Sequence, residues 1–390
     1  MFKKLLKVYG WLLRFIQIMV CAFYKKRKNH IILGSSAGTN VNGNSKALFL
    51  YMLNENTPLK GYFITRNYAA YKTHKKDYPD HFLYAYSWRA LIKAISAKAF
   101  ILTHGPYDVT PFKCVNTEKA LVNVWHGFPI KKLGIDSHFL TKKQKRKALG
   151  DFDGFVVMSE EEKHIMSKCY QTKLENMWVT GYPRNDFTYV KNEKIIDLIP
   201  YTRSKKVLLY APTFRDSGKT ELFPFKDFNI DELINFLSAN NTVILLRIHK
   251  NELSKHHLEE SEWLKVCDGD VIQEVNEIMS IVDLLITDYS SSYIDRLLID
   301  TPTLFVPYDL EWFSEYRGFN FDFNTVTPGA KVFDFKSFLE NIKRYLDDPT
   351  LDSESRQQIK ARFHKYPDNQ SSRRVYEQIE TLVYSKFSHL

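Results

Sequence analysis

Glycine signatures for phosphate binding are missing from this chain. It holds 15 glycines in 390 residues, and neither Gly-x-Gly-x-x-Gly nor Gly-x-x-x-x-Gly-Lys-Ser/Thr occurs. That excludes a dinucleotide fingerprint and a P-loop. Cysteine is scarce too. Cys21, Cys114, Cys169 and Cys267 stand far apart, with no metal-ligand or redox spacing among them, which points to reduced thiols in a cytoplasmic protein. Internal repeats and low-complexity segments are absent. No DNA- or RNA-binding motif accompanies the net charge of +10, so nucleic acid is not the expected partner. The charge suits an anionic membrane surface or phosphorylated substrates.

What is present is a globular body, 44% hydrophobic, with 28 Phe and 23 Tyr. Its length allows two domains, each with its own core. Residues 1–28 stand apart. Lys3, Lys4, Lys7, Gly10, Arg14 and Gln17 fall on one side of a helical wheel, and Leu5, Leu6, Leu12, Leu13, Ile16, Met19 and Val20 on the other. A signal peptide would need a small-residue cleavage site, and none is evident. A spanning helix would need about 20 mostly uncharged residues, but Lys7 and Arg14 interrupt this one. An amphipathic helix lying in the plane of an anionic membrane fits best. A spanning segment and a helix docked on the protein's own body are the alternatives.

Beyond residue 28, short apolar runs alternate with longer amphipathic segments. Strands are expected at 31–33, 62–65, 99–103, 120–125, 154–158 and 177–180, then at 207–210, 242–248, 271–272, 284–287 and 303–306. Helices are expected at 45–53, 88–97, 230–238, 276–282, 292–299, 336–346 and 372–387. Strand–helix–strand order argues for parallel sheets. Two such sets suggest two Rossmann-like domains facing a central cleft, at 29–200 and 201–370, followed by a C-terminal helix in 371–390.

The most informative stretch begins at Asn123 and runs through Val124-Trp125-His126-Gly127-Phe128-Pro129-Ile130-Lys131-Lys132. A buried strand ends on a histidine, placing an imidazole at the carboxyl edge of a sheet, where open α/β folds bind ligands. Gly127 permits close backbone approach, and Lys131 and Lys132 bring positive charge. Such an imidazole can take a proton from an attacking hydroxyl. A packed histidine in a turn is the competing reading.

The second half repeats the pattern of strands ending in polar groups. Tyr210-Ala211-Pro212-Thr213-Phe214-Arg215-Asp216 presents Thr213 and Arg215, a guanidinium being a good phosphate clamp unless Asp216 merely pairs with it. In Leu245-Leu246-Arg247-Ile248-His249, alternation puts Arg247 and His249 on one side of a strand, able to hold a leaving phosphate if the edge is not simply half-exposed. Thr287-Asp288-Tyr289-Ser290-Ser291-Ser292 leads a strand into a helix, whose start offers N–H groups and hydroxyls to a phosphate. N-capping by one serine would also explain it. Tyr308-Asp309-Leu310-Glu311 and Arg317-Gly318-Phe319 are weaker signals, with a surface loop as the default.

Taken together and in order, these motifs, with Gly181-Tyr182-Pro183-Arg184-Asn185-Asp186 and Asn44-Ser45-Lys46, resemble the CDP-glycerol glycerophosphotransferases of teichoic acid synthesis. The likeness covers about residues 30–365. It implies a GT-B-type α/β fold with two facing domains. It also implies transfer of a polyol phosphate, glycerol phosphate foremost, from CDP-glycerol or CDP-ribitol to a lipid-linked glycan acceptor at the cytoplasmic side of the membrane. On this resemblance His126 is the base and His249 the histidine near the donor phosphates. Arg215, Ser290 and Ser291 bind phosphate, Asp288 and Arg317 match motif positions, and Gly127, Lys131 and Lys132 lie on the acceptor side. No tightly bound cofactor and no catalytic metal are expected. Phe128 stands where the family commonly has Thr, and Lys250 where it has Pro, departures that bear on the acceptor and on the donor respectively. The absence of a large N-terminal extension fits a primase or short-chain transferase. Alternatives are a sugar-nucleotide glycosyltransferase on the same fold and a non-catalytic membrane-surface binding protein. Oligomeric state is left open.

Overall fold

A computed structural model describes residues 12, 28–110, 119–138, 140–148, 150–213, 215, 220–248 and 258–388. The amphipathic helix expected in 1–28 lies outside the described residues, apart from Leu12 and Lys28. Strands β1 (His30–Leu33), β2 (Lys60–Thr65), β3 (Phe82–Tyr84), β4 (Ala99–Leu102), β5 (Ala120–Asn123), β6 (Gly154–Val157) and β7 (Met177–Val179) form one sheet in the order β3-β2-β1-β4-β5-β6-β7. Strands β8 (Lys206–Tyr210), β9 (Thr242–Leu246), β10 (Leu264–Val266), β11 (Leu284–Thr287) and β12 (Thr303–Phe305) form a second, ordered β10-β9-β8-β11-β12. Every pairing within the two sheets is parallel. Parallel sheets are covered on both faces, so their strands read as continuous apolar runs. Accordingly, all four residues of β1, β4, β6 and β11 are buried.

Strand order reverses between β1 and β4 and again between β8 and β11. The carboxyl ends beside such a reversal are where open sheets bind ligands. The second sheet divides its side chains with a period of two. Val207, Leu209, Leu245 and Leu285 join the core that runs on into the first sheet, whereas Leu208, Tyr210, Ile244, Leu246 and Ile286 pack beneath the helix Phe335–Asp347. One apolar cluster therefore spans both halves.

The chain closes on its first half. After the helix Ser353–Phe363, the helix Ser371–Lys386 returns to β5 and to the helix Gly43–Asn54. Its start is fixed by Asp186, which accepts from the backbone N–H groups of Ser371 (2.9 Å) and Ser372 (2.8 Å), a carboxylate meeting the positive end of a helix. Val375, Ile379 and Val383 are buried along its inner face.

Three expectations need correction. The strand placed at 271–272 is part of a turn, and the strand is Leu264–Val266. Asp268 Oδ1 accepts from the N–H groups of Asp270 (3.0 Å) and Val271 (3.3 Å), curling the segment away from the sheet. The helix expected at 276–282 is a 3-10 helix, Val275–Ile281, and the strand expected to reach residue 248 stops at Leu246. Strand β3 and the helices Tyr68–Asp77, Glu160–Tyr170 and Ser353–Phe363 were not anticipated.

Because Ile379 is fully buried, Ile379→Ala is expected to cost about 3 kcal/mol of stability through lost transfer energy and a residual cavity. The urea midpoint of the full chain measures this.

Candidate active site

Strand β5 delivers its histidine through a sharp change of direction. Trp125 sits at φ 55°, a left-handed conformation that costs an ordinary residue about 1 kcal/mol or more. Neighbouring amides hold it there. Asn123 Oδ1 accepts from the Trp125 N–H (2.9 Å), and Asn44 Nδ2 donates to the carbonyls of Val124 (2.7 Å) and Trp125 (3.1 Å). The indole N–H reaches on to the Gly127 carbonyl (2.7 Å). His126 emerges with its ring stacked on His104, centroids 4.1 Å apart and planes within 1°.

His126 Nδ1 lies 3.1 Å from the carbonyl of Thr103. A carbonyl only accepts, so Nδ1 carries the proton and Nε2 keeps its lone pair. Part of the residue is open to solvent, yet protein crowds the ring. This desolvation comes first in pushing its pKa below the ordinary histidine value, followed by His104, then Arg184 and Lys131, while the Thr103 carbonyl opposes them. At neutral pH the ring is an uncharged base. Its neighbour loop is equally fixed. The Asp108 carboxylate accepts from the N–H groups of Ala37 (2.6 Å), Thr103 (2.7 Å), His104 (2.7 Å) and Gly105 (3.2 Å).

The two halves meet at Gly127. A Cβ added there would stand 3.1 Å from Ser291 Oγ, so glycine is what lets the histidine loop approach the hydroxyl-rich loop after β11. Arg184 clamps this junction. Nη1 donates to the His126 carbonyl (2.6 Å), and Nη2 pairs with Asp295 Oδ2 (2.7 Å) in the helix that follows Ser291. Burial works against charge on both partners. Asp295 and Glu274 outweigh it at Arg184, whose pKa is raised, whereas burial prevails at Asp295, whose pKa is also raised. Nearby, Lys46 pairs with Glu277 (3.1 Å), and the Gly43 N–H donates to Glu274 Oε2 (2.6 Å). A short ribbon completes the join. The Asn320 N–H donates to the Ile130 carbonyl (2.9 Å), the Lys132 N–H to Gly318 (3.1 Å), and Asn320 Nδ2 to Pro129 (2.8 Å) and Lys131 (3.1 Å).

On the second half, Arg215 is buried rather than presented. It grips Asp309 through Nε (3.0 Å) and Nη2 (2.9 Å), Asp288 through Nη2 (2.9 Å), and the Thr213 carbonyl through Nη1 (2.6 Å). Four of its five N–H groups are committed. Burial opposes its charge, but Asp309 and Asp288 outweigh it and raise its pKa. Asp216, the neighbour expected to compete for it, lies outside the described residues, and the partners described are two carboxylates that follow other strands. Asp288 also accepts from the N–H groups of Thr213 (2.8 Å) and Tyr289 (2.5 Å), tying the loops after β8 and β11 together. Thr213 Oγ1 and Ser292 Oγ are buried without a partner among the described residues. Arg215, Thr213, Lys131 and Arg317 line one small cavity with Trp312, Phe313 and Tyr316.

Other expected residues fall elsewhere. Arg247 donates to the carbonyls of Cys267 (2.9 Å), Asp268 (2.7 Å), Ile272 (2.5 Å) and Gln273 (3.2 Å). It shapes the loop after β10 rather than reaching a phosphate. Phe128 is buried and packs on Phe363 (4.5 Å between centroids) and Phe321 (5.7 Å), so it joins the halves instead of lining an acceptor path. Lys132 Nζ lies 3.2 Å from His138 Nε2. His249 and Lys250 lie outside the described residues. His104, Asp108 and Asp295 were not foreseen. Arg184 and Asn44 enter the sequence reading only as members of motifs. The sequence also holds two Asp-x-Asp pairs, Asp151/Asp153 and Asp268/Asp270. Asp153 binds the Leu121 N–H (2.8 Å) and Lys386 (2.7 Å), and Asp268 caps its turn. Among the described residues no group of three His, Cys, Asp or Glu side chains is placed to hold a metal.

Removing one member of the buried pair strands the other charge. Asp295→Leu is expected to lower stability by about 3 kcal/mol, and Arg184→Met combined with Asp295→Leu by less than the sum of the two single changes. Urea unfolding of the four proteins in that cycle provides the test.

A family model described as CDP-Glycerol:Poly(glycerophosphate) glycerophosphotransferase matches residues 15–381. The teichoic acid ribitol-phosphate polymerase TarL of Staphylococcus aureus (strain NCTC 8325 / PS 47) is 27% identical over 374 residues, 90% of this chain and 62% of that protein. A teichoic acid poly(glycerol phosphate) polymerase of Bacillus subtilis (strain 168) is 29% identical over 338 residues, 82% of this chain and 44% of its own length. The chain therefore spans about half the length of these polymerases. The solved wall teichoic acid polymerase TagF, as a variant soaked with CDPG, superposes with a TM-score of 0.79 at 21% identity, covering 99% of this chain and 98% of that one, and so shares the fold of parallel α/β sheets. With nearly its whole length matched, the chain belongs to the CDP-glycerol:poly(glycerophosphate) glycerophosphotransferase family.

Proposed function

We propose that this protein transfers a polyol phosphate from a CDP-activated donor, CDP-glycerol or CDP-ribitol, to a hydroxyl of a lipid-linked glycan acceptor, releasing CMP in the synthesis of a teichoic acid or related surface polymer. The observation that carries this reading is the meeting of an uncharged imidazole, His126, with the hydroxyl loop Ser290–Ser291 across the junction at Gly127. The family's substrates, and the CDPG carried by the TagF variant, supply the donor class. On this reading the two sheets are the cores of two GT-B-type domains divided near residue 200.

In the reaction, the acceptor oxygen forms a bond to the phosphorus that bears the polyol, and the bond from that phosphorus to the CMP oxygen breaks. The acceptor's proton passes to Nε2 of His126, and the electron pair of the broken bond leaves on CMP. Ser290, Ser291, Thr213, Lys131 and Arg317 steady the charge on the donor phosphates, with His249 assigned beside them by family resemblance. Arg215 and Asp288 act one step back, holding the loops that present these groups. Positioning and fixed electrostatics supply most of the rate in phosphoryl transfer. Lys132 faces the acceptor side.

Among the described residues no helix is long and apolar enough to cross a membrane. Peripheral attachment on the cytoplasmic side fits the amphipathic segment predicted for 1–28. It also fits the exposed Tyr68, Tyr86, Trp88 and Ile92, which share their helices and connecting loop with Lys72, Lys75, Lys76 and Arg89. Lys28 donates its N–H to the Ser96 carbonyl (2.9 Å) at the end of the helix Trp88–Ser96.

Incubating the protein with CDP-glycerol or CDP-ribitol and a lipid-linked disaccharide acceptor should release CMP and add polyol phosphate mass. His126→Ala should lower turnover about a hundredfold or more while donor affinity is kept. Normal turnover in that variant removes His126 as the base. The depressed pKa sets a pH dependence. Protonation at low pH disables the base, so the acidic limb of kcat/KM should fall below the ordinary histidine value of about 6.5 rather than centre on it.

A further inference from the structure

Two imidazoles, not one, stand at the carboxyl edge of the first sheet. His126 follows β5, and His104 follows the neighbouring β4. Their rings lie face to face, with 4.1 Å between centroids and planes within 1°. Both turn Nδ1 toward the same residue. His126 Nδ1 meets the Thr103 carbonyl (3.1 Å), and His104 Nδ1 meets the Thr103 hydroxyl (2.8 Å). The two nitrogens of an imidazole flank one ring carbon, so engaging Nδ1 in this way turns Nε2 away from Thr103. Neither Nε2 has a hydrogen-bond partner among the described residues.

The Thr103 hydroxyl fixes which nitrogen of His104 carries the hydrogen. Its oxygen accepts from the Ser36 N–H (3.2 Å). Its own hydrogen has two candidate acceptors, His104 Nδ1 at 2.8 Å and Asp108 Oδ2 at 3.3 Å. Hydroxyl hydrogen bonds centre near about 2.8 Å, and Asp108 Oδ2 already takes the N–H groups of Thr103, His104 and Gly105. The hydroxyl therefore donates to Nδ1, and His104 bears its hydrogen on Nε2. The stack thus presents a lone pair at His126 Nε2 beside an N–H at His104 Nε2. His104 is exposed, and a Cβ added at the adjacent Gly105 would meet nothing within 4 Å, so a ligand has room beside the pair.

The geometry also limits what this pair can do. Each N–H lies in its own ring plane, and the other ring lies above that plane, so no proton passes directly between the two. A phosphate offers His126 no hydrogen, because its oxygens accept only. A lone alcohol serves one ring and leaves the other idle. Hydroxyls on adjacent carbons serve both, one giving its hydrogen to the lone pair and the other accepting from the N–H.

We propose that His104 is a second acceptor-contacting residue, whose Nε2–H donates to the hydroxyl next to the one that attacks, so that the site selects acceptors bearing hydroxyls on adjacent carbons, as in a sugar ring or a polyol end. The proposal deepens the function given above and rests on it. His104 gives up no hydrogen in the reaction. The attacking hydroxyl's proton still passes to His126 Nε2, and the neighbouring hydroxyl keeps its own.

The test compares two acceptors with the full chain and a CDP-polyol donor. One is the lipid-linked disaccharide, and the other is its analogue deoxygenated at the carbon next to the one that receives the polyol phosphate. The ratio of their kcat/KM values is measured in the wild type, His104→Phe and His104→Ala. The phenyl ring keeps a face against His126 without the N–H, and because both acceptors meet the same protein, any loss of folded enzyme cancels in the ratio. The wild type should prefer the intact acceptor by about three- to tenfold, the worth of one hydrogen bond, and the ratio should fall close to one in the variants. A wild-type ratio already close to one, or a ratio that the substitutions leave unchanged, overturns the proposal and leaves His104 as packing for His126. Absence of CMP release by the wild type with either donor and either acceptor overturns the proposed function itself, and this contact with it.

Discussion

Arg184 stands where the two sheets meet, and its guanidinium holds a backbone carbonyl of one half and a carboxylate of the other. Taking a full charge out of water costs several kcal/mol unless a partner and hydrogen bonds replace the lost hydration. Here Asp295 at 2.7 Å and the His126 carbonyl at 2.6 Å provide both. The pair fixes register more than it adds stability, since apolar residues of the same volume could fill the space. With it in place, Gly127, the neighbour of His126, stands against Ser291. Everything proposed for the chemistry, from the uncharged base to the phosphate-facing hydroxyls, presumes that relation between the halves.

Charge is distributed along the cleft with the same economy. The carboxylates of Asp288 and Asp309 spend themselves on Arg215, and four backbone carbonyls absorb Arg247. What the cleft offers a substrate is therefore less than its arginine content suggests. Among the described residues, Lys131 and Arg317 bring positive charge to the cavity that Arg215 and Thr213 also line.

Much of the scaffold was legible because parallel strands buried on both faces spell themselves as apolar runs: 99–103, 154–158, 207–210 and 284–287 each coincide with a strand of the structure to within one residue at either end. The short Leu264–Val266 was not legible, because Lys265 interrupts it and the neighbouring Val271-Ile272 mimics a strand while its backbone groups serve a turn. The site divided in a similar way. His126 announced itself, since a histidine ending an apolar run and followed by glycine is a local pattern. The tasks of Arg215 and Arg247 are not local. Asp309 is 94 residues from Arg215, and the carbonyls held by Arg247 lie 20 to 26 residues away, so a sequence reading sees only two arginines at strand ends and gives both to phosphate. Ser159 followed by Glu160, Glu161 and Glu162 is a local helix start, the Ser159 side chain accepting from the Glu162 N–H.

The helix Ser371–Lys386 belongs to the first half in space but comes last in the chain. Val375, Ile379 and Val383 sit in the same core as β5, while all five strands of the second sheet are strung between them and β7. The first half is thus discontinuous, with the second inserted into it. During synthesis, a nascent chain that has cleared the ribosome as far as residue 370 carries a finished second sheet beside an incompletely covered first one. The histidine loop that grows from β5 acquires the support of this helix only when residues 371–386 emerge, so the order of translation delays assembly of the site until the second half has been made.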